Sequence, residues 1–241
     1  MNACSTELTK ALAPYDKQRD ETRGVLPLKP CNIGIYGRKG CGKSNLLCNL
    51  LMKKESPYYK YFDLLFLISP TALNDEKMKP LIEDIDDQYY EELNNDVLED
   101  IMAKCAAFTD RHERKKKRGK PQYCIVYDDC IHMIKSKNAS MITKLATQNR
   151  HMNITNIYLL QKYNTYTPTL IRSNLDCTMF FHTENKAELE SFLKEQGGDE
   201  DKLMMLYQFA TAEPYSFLFI NSYSQPTRYF RRFDPIEYRS K

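Results

Sequence analysis

The residues with the clearest chemical pattern form the loop GRKGCGKS, from Gly37 to Ser44. This loop fits the phosphate-binding pattern G-x-x-x-x-G-K-[ST] at every constrained position. In such loops the backbone N–H groups wrap a polyphosphate, the lysine reaches the outer phosphates and the hydroxyl ligates Mg²⁺. We therefore predict a site for a nucleoside triphosphate and Mg²⁺. The predicted nucleotide-binding residues are Gly37, Arg38, Lys39, Gly40, Cys41, Gly42, Lys43, Ser44 and Asn45.

The segments on either side of this loop match the structural context that the motif requires. Cys31–Tyr36 is a short apolar run that favours a strand, and Lys43–Lys54 has the apolar spacing of a buried helix. A strand, a loop and a helix in this order direct the positive end of the helix at the phosphates. The pattern is therefore predicted to be a working phosphate loop rather than a chance match in a turn.

Other polar residues directly follow apolar runs of strand length. They are Ser69, the pair Asp128–Asp129, and Gln161. In a parallel sheet the carboxyl ends of the strands meet at one edge, where ligands bind. We therefore expect these side chains to lie beside the phosphate loop.

Each of these positions has a chemical interpretation and an ordinary one. Asp128 is suited to the Mg²⁺ shell that Ser44 also touches, and Asp129 to orienting or deprotonating an attacking water. Both aspartates are also good N-terminal caps for a following helix. Gln161 is suited to sensing the γ-phosphate or positioning water, or it is simply a polar residue at a strand exit.

Phosphate-loop enzymes often use an arginine to neutralise charge on the departing phosphoryl group. Arg150 and Arg172 are the candidates, because one precedes and the other follows the run that ends at Gln161. Either arginine also has a structural or surface interpretation. The basic run Lys115–Arg118 precedes an apolar run, so we expect it at the opposite end of the sheet. There it would contact DNA, act as a localisation signal or be solvated.

The elements that must hold these residues alternate between apolar strands and helices, with helices expected over 76–94, 96–111 and 131–151. Fully apolar strands indicate a sheet covered on both faces. We predict the α/β fold class, with a mostly parallel sheet and helices on both faces. The predicted domains are an N-terminal arm (1–30), an ATPase core (31–221) and a basic-aromatic tail (222–241).

Composition narrows the class of protein only a little. The 241 residues include 35 basic and 32 acidic ones, so net charge identifies no partner. The eight cysteines form no C-x-x-C pair, which favours reduced thiols in an intracellular compartment. No apolar run is long enough to span a membrane, and the N-terminus has no signal-peptide core. We expect a soluble protein that is not secreted.

The most specific stretch outside the loop is Arg150–Phe181, which reads RHMNITNIYLLQKYNTYTPTLIRSNLDCTMFF. Together with the phosphate loop, IVYDD (125–129) and YSFLFINSY (215–223), it resembles the genome-packaging ATPases of large DNA viruses and virophages. These are the poxvirus-type packaging ATPases, within the FtsK/HerA superfamily of P-loop NTPases. The resemblance spans roughly residues 31–233.

The resemblance implies a RecA-like core that forms a homo-oligomeric ring, a pentamer or a hexamer. Such a ring hydrolyses ATP between subunits and drives double-stranded DNA, without sequence preference, into a preformed capsid. Capsid or portal-vertex proteins would be partners, in the host cytoplasm at the virus assembly site, with the virion as a second location. Arg150 lies eleven residues before Gln161, a spacing similar to that of the superfamily's trans-acting arginine, so Arg172 ranks second. Cellular members usually have Asp-Glu where this chain has Asp128–Asp129.

Other classes of phosphate-loop protein fit less well. A GTPase would need N-K-x-D for base recognition, and the segment from Asn185 reads NKAE. A nucleoside or nucleotide kinase would use the arginine-rich segment as a lid and need no ring. An ATP-binding interaction protein without hydrolysis is the third alternative.

Overall fold

A computed structural model describes residues 25–116, 118–131, 139–164 and 168–237. The strands in these ranges are β1 (Asn32–Tyr36), β2 (Leu64–Ile68), β3 (Tyr89–Tyr90), β4 (Tyr123–Asp128), β5 (Ile154–Leu160), β6 (Cys177–Phe181), β7 (Phe217–Asn221), β8 (Arg228–Arg231) and β9 (Asp234–Pro235). They form one sheet in the order β3-β2-β4-β5-β1-β6-β7-β8-β9. Strands β3 to β6 in this order run parallel, and β7, β8 and β9 are antiparallel to their neighbours.

The helices are α1 (Lys43–Met52), α2 (Lys79–Ile85), α3 (Asn95–Arg114), α4 (Ala139–Thr147), α5 (Thr169–Arg172), α6 (Lys186–Gln196) and α7 (Glu200–Ala210). Side chains of Asn94, Asn185 and Asp199 cap the N-termini of α3, α6 and α7. Helix α1 is different because Gly42 occupies its N-cap position and has no side chain. The first N–H groups of α1 are therefore left for another acceptor.

The sheet separates two hydrophobic cores, as expected for a mostly parallel sheet with helices on both faces. On one face, α3, α4, α6 and α7 pack against Tyr127 and Tyr158, whose rings stack 4.9 Å apart. On the other face, α1 and α2 pack against Ile35, Val126 and Leu159. The four central strands β4, β5, β1 and β6 are buried along their whole length. The predicted fold class is confirmed.

Two of the helices expected from the sequence differ in the structure. The helix expected over 76–94 is wrong for its second half, where the chain leaves α2 at Asp86 (φ 47°), makes one 3₁₀ turn and pairs Tyr89 and Tyr90 with β2. The helix expected over 131–151 is observed as α4, and residues 132–138 lie outside the described ranges. Apolar periodicity does not distinguish a short edge strand from a continuing helix.

The segments expected to flank the core also contribute to it in part. Leu26, within the predicted arm, is 1% exposed, and Val25 O accepts a hydrogen bond from Asn221 Nδ2 at 3.1 Å. Strands β8 and β9 of the predicted tail extend the sheet. The domain boundaries at 30/31 and 221/222 remain a prediction.

The seven cysteines within the described residues are all free thiols. Of the helices that the structure describes, none combines the length and apolarity needed to cross a bilayer.

Candidate nucleotide site

A cleft of about 880 Å³ opens at the carboxyl edge of the parallel strands. Its walls come from the loop after β1, the segment after β2, the ends of β4 and β5, and the entry to β7. The cleft therefore lies where strand polarity predicts a ligand site.

The phosphate loop needs glycine at three positions for steric reasons. Gly40 and Gly42 have φ values of 80° and 109°, which residues with a side chain rarely adopt. At Gly37 a Cβ atom would lie 2.5 Å from Cys41 Sγ and 2.8 Å from Phe181 Cβ. Gly37 N also donates to Leu160 O at 3.1 Å, which ties the loop to the end of β5. The loop is thus held in a shape that only this pattern of glycines allows.

Lys43 is almost fully buried at the base of the loop, with 8% of its surface exposed. Its ammonium donates to Gly37 O at 2.7 Å and to Arg38 O at 3.4 Å. An ammonium has three donors, so Lys43 can hold the loop closed and still donate to a phosphate oxygen. This geometry fits a bound polyphosphate.

The carboxylate of Asp128 lies at the end of β4 and is 7% exposed. Ser69 Oγ, at the end of β2, donates to Asp128 Oδ2 at 2.7 Å. Burial raises the pKa of Asp128 to about 6; the Ser69 hydrogen bond opposes the rise, and the charge of Asp129 adds to it. A buried carboxylate of this kind is stabilised by a nearby cation. Together with the Ser44 hydroxyl in the same cleft, it gives the oxygen donors that suit Mg²⁺.

Asp129 and Gln161 meet across the ends of β4 and β5. Gln161 Nε2 donates to Asp129 Oδ2 at 2.6 Å, and Asp129 N donates to Leu159 O at 3.1 Å. Asp129 has a φ of 49°, an unfavourable conformation for a residue with a Cβ atom. Backbone strain of this kind concentrates at functional sites. The alternative role of Asp129, helix capping, concerns residues 132–138 outside the described ranges.

Arg150 lies at the amino ends of the parallel strands, opposite the cleft, in the turn before β5. Its guanidinium donates to Asp176 Oδ1 at 2.7 Å and lies 5.4 Å from the ring centre of Tyr223, yet 62% of the side chain is exposed. The length of β5 separates it from Gln161, about 20 Å at 3.3 Å per residue. Arg150 therefore does not reach the cleft of its own chain.

Arg172 is embedded between helices rather than directed at the cleft. Its Nε and Nη2 donate to both oxygens of Glu195, at 2.8 Å for the shortest contacts, and its side chain is 10% exposed. Glu195 also accepts from Tyr163 OH at 2.9 Å. The hydrogen bonds from Arg172 to Glu195 raise the pKa of Arg172. In this arrangement Arg172 joins α5 to α6 and to the segment after Gln161.

The structure thus brings most of the predicted site residues into one cleft. Those that line it are Lys39, Gly40, Gly42, Lys43, Ser44, Asn45, Asp128, Asp129 and Gln161. Gly37 and Arg38 border a smaller pocket of about 180 Å³ on the other side of the loop. Arg38 is exposed and lies 4.0 Å from Glu184. Arg150 and Arg172 line neither pocket.

Two walls of the cleft were missed by the sequence interpretation. One wall follows β2 and includes Thr71, Asn74 and Asp75. Because this wall directly follows Ser69 at the end of β2, its place in the sequence could have predicted it. The other wall includes Tyr215 and Arg232, which come from the antiparallel end of the sheet. Nothing in the apolar pattern indicated that those strands fold back beside the phosphate loop.

The fold and the loop define a P-loop NTPase. Residues 20–212, most of the chain, match the family described as Poxvirus A32 protein. The chain belongs to this family. No curated protein matches the chain.

Solved structures share the fold at low sequence identity. The genome packaging NTPase B204 from Sulfolobus turreted icosahedral virus 2, in complex with AMP, is 20% identical, with a TM-score of 0.59 over 86% of this chain and 98% of that one. Its AMPPCP complex is 19% identical, with a TM-score of 0.57 over the same shares. EssC (ATPases 2 and 3) from Geobacillus thermodenitrificans is 14% identical, with a TM-score of 0.55 over 81% of this chain and 38% of that one.

Proposed function

We propose that this protein is an ATP-driven translocase of double-stranded DNA that packages a viral genome into a preformed capsid. ATP hydrolysis would depend on Mg²⁺ and occur between subunits of a ring. The observation that carries the proposal is the cleft in which the phosphate loop, the Ser69–Asp128 pair and the Asp129–Gln161 pair meet. Membership of the Poxvirus A32 family and the fold shared with a viral genome packaging NTPase support it.

The phosphate loop and Lys43 bind the triphosphate in this proposal. The open N-terminus of α1 faces the phosphates, and the Lys43 ammonium donates to their outer oxygens. Ser44 and Asp128 would hold Mg²⁺, which neutralises charge on the outer phosphates when it is bound. Ser69 fixes the Asp128 carboxylate through its hydrogen bond.

Asp129 acts on the attacking water, either by orienting it or by accepting its proton. Aspartate is one methylene shorter than glutamate, so the carboxylate must be held in place more closely. The 2.6 Å hydrogen bond from Gln161 Nε2 supports this positioning. Gln161 would also respond to the γ-phosphate, because it lies in the same cleft.

Arg150 serves a neighbouring subunit rather than its own. Its exposed guanidinium, at the sheet edge opposite the cleft, supports a role in trans. In a head-to-tail ring one surface of each subunit meets a different surface of the next. Arg150 of one subunit would then complete the cleft of its neighbour. Arg172, which is paired with Glu195, would have a positioning role.

The partners follow from the proposed motor. Double-stranded DNA would be held through its backbone without sequence preference. Capsid or portal-vertex proteins would receive the ring, as a pentamer or a hexamer, at the assembly site in the host cytoplasm and in the virion.

The alternative function, a nucleoside or nucleotide kinase, would need its basic segment to lie over the phosphates. Here Lys115, Lys116 and Arg118 precede β4, at the amino end of that strand.

The test is ATP hydrolysis measured with and without double-stranded DNA. We expect DNA to stimulate turnover, and we expect Lys43→Ala and Asp129→Asn to abolish it. Lys54→Ala is the matched control, since Lys54 is exposed and lies outside the cleft. Phosphate transfer to a nucleoside without DNA stimulation would support the kinase instead. If the wild type shows no turnover and both variants resemble it, the protein is not an ATPase.

A further inference from the structure

One wall of the nucleotide cleft is aromatic and belongs to the antiparallel end of the sheet. Phe181 ends β6, Phe217 begins β7, and Phe233 lies in the turn between β8 and β9. The ring centres of Phe181 and Phe217 are 5.0 Å apart, and those of Phe217 and Phe233 are 5.6 Å apart. All three rings are at least 97% buried. They form a rigid apolar floor next to the phosphate loop.

Two residues with unusual backbone conformations lie above this floor. Tyr215 has a φ of 60° and Arg232 a φ of 54°, although neither is glycine. The two turns that carry them are joined, because Arg231 forms an ion pair with Glu213 at 2.5 Å and Arg232 Nη2 donates to Pro214 O at 3.5 Å. Strained conformations persist where the surrounding structure enforces them, and they concentrate at binding sites.

The ring of Tyr215 lies against the start of α1. A Cβ atom on Gly42 would be 3.4 Å from Tyr215 Cδ1, so the ring is adjacent to the turn that cradles phosphates. Even so, 61% of Tyr215 is exposed. A ring held at a cleft wall with an open face offers a stacking surface.

The two sides of the cleft therefore suit different parts of one ligand. Lys43, Ser44 and Asp128 provide charged and polar groups for phosphates and a cation. The side with Tyr215 provides an aromatic face and, from Arg232, a guanidinium, and both kinds of group stack on flat heterocycles. A nucleoside triphosphate has this division, with an anionic tail and a flat base.

We propose that Tyr215 stacks on the nucleobase of the bound nucleoside triphosphate and that Arg232 flanks the same base. This inference rests on the proposed function, because it requires the phosphate loop to bind a nucleotide. It assigns base recognition to the turns at 213–216 and 231–233, at the opposite end of the sheet from β2. Base affinity and phosphate affinity then depend on different residues.

The experiment measures binding of two ligands that share only their phosphates. The probes are 2-aminopurine riboside triphosphate, whose fluorescence is quenched by stacking, and inorganic tripolyphosphate. Tyr215→Ala should weaken the nucleotide by roughly tenfold and remove most of the quenching, since one base–aromatic stack has about this effect. Tripolyphosphate affinity should change less than twofold. Tyr215→Phe should retain both properties.

Met205→Ala is the control, because Met205 is a large apolar residue on α7 that is 62% exposed and lies outside the cleft. Equal weakening of both ligands by Tyr215→Ala, or of neither, would refute base stacking. In either case, if the wild type binds tripolyphosphate, the phosphate-binding part of the proposed function still stands. A wild type that binds neither ligand would refute the proposed function, and the base site with it.

Discussion

The two edges of the parallel sheet carry different parts of the proposed chemistry. At the carboxyl edge, the phosphate loop and the side chains of Asp128, Asp129 and Gln161 lie together in one cleft. At the amino edge, Arg150 is exposed to solvent and anchored by Asp176. The phosphate loop and the aspartates therefore lie together within one chain, whereas Arg150, the first candidate for the catalytic arginine, lies away from them.

A single strand connects the two edges physically. Strand β1 begins at Asn32, whose backbone N–H donates to Asp176 Oδ2 at 2.9 Å, and Asp176 holds Arg150 at 2.7 Å. The same strand ends at Tyr36, directly before Gly37 of the phosphate loop. The buried side chain of Asn32 also bonds to Ala146 O and Asn174 O. The position of Arg150 is therefore fixed relative to the loop by a rigid central element.

Among the arginines and strained residues compared between the two edges, Arg150 should have the largest effect on the rate when it is replaced. We expect Arg150→Ala to lower kcat by about 10³-fold or more, in the range of arginines that act on a transferring phosphoryl group, while ATP affinity changes little. Steady-state hydrolysis and nucleotide binding measure the two quantities. Arg114→Ala, at the exposed end of α3, is the control and should leave kcat unchanged. If Arg150→Ala shows normal turnover, Arg150 at the amino edge does not take part in ATP hydrolysis.

Arg172 should behave as a positioning residue with a moderate effect. Arg172→Ala breaks the pair with Glu195, which is partly buried, so we expect a loss of about 2 kcal/mol in the free energy of unfolding. Chemical denaturation checks this value. We expect kcat to fall far less than in Arg150→Ala. A thousandfold loss of kcat with unchanged stability would instead make Arg172 the catalytic arginine.

Backbone strain at the amino edge should affect stability and not ATP hydrolysis. Relieving it should have the smallest effect of these predictions. Lys60, which is exposed and precedes β2, has a φ of 51°, close to the 49° of Asp129. Lys60→Gly should raise the free energy of unfolding by about 1 kcal/mol, because a left-handed residue with a side chain is disfavoured. ATP hydrolysis should be unchanged. A loss of turnover in this variant would mean that strain at the amino edge also serves the reaction.

The sequence predicted the carboxyl edge well because its signals are local. Polar residues directly after apolar strands, such as Asp128 and Gln161, were expected beside the phosphate loop, and they are found there. The strand order of a parallel sheet is set by long-range contacts, so local patterns did not indicate that β7 to β9 bring Tyr215 beside Gly42. Likewise, the partner of Arg172 is Glu195, 23 residues further along the chain. No local pattern relates these two residues.

The roles of the predicted site residues remain proposals, and they differ in how much geometry supports them. Asp129 has a positioned carboxylate and a hydrogen-bond partner in the cleft. The role of Arg150 is supported by its exposure and by its distance from the cleft of its own chain. The most useful measurement is therefore one that tests whether Arg150 acts across a subunit boundary.

Mixing Arg150→Ala subunits with Lys43→Ala subunits provides this measurement. Each variant alone should hydrolyse ATP far more slowly than the wild type. In a mixed head-to-tail ring, about one quarter of the interfaces would pair an intact loop with an intact arginine at equal proportions. We predict that DNA-stimulated hydrolysis reappears on mixing and is highest near equal proportions. Absence of recovery at every ratio, with mixed rings verified, would contradict the account, because Arg150 would then not act in trans.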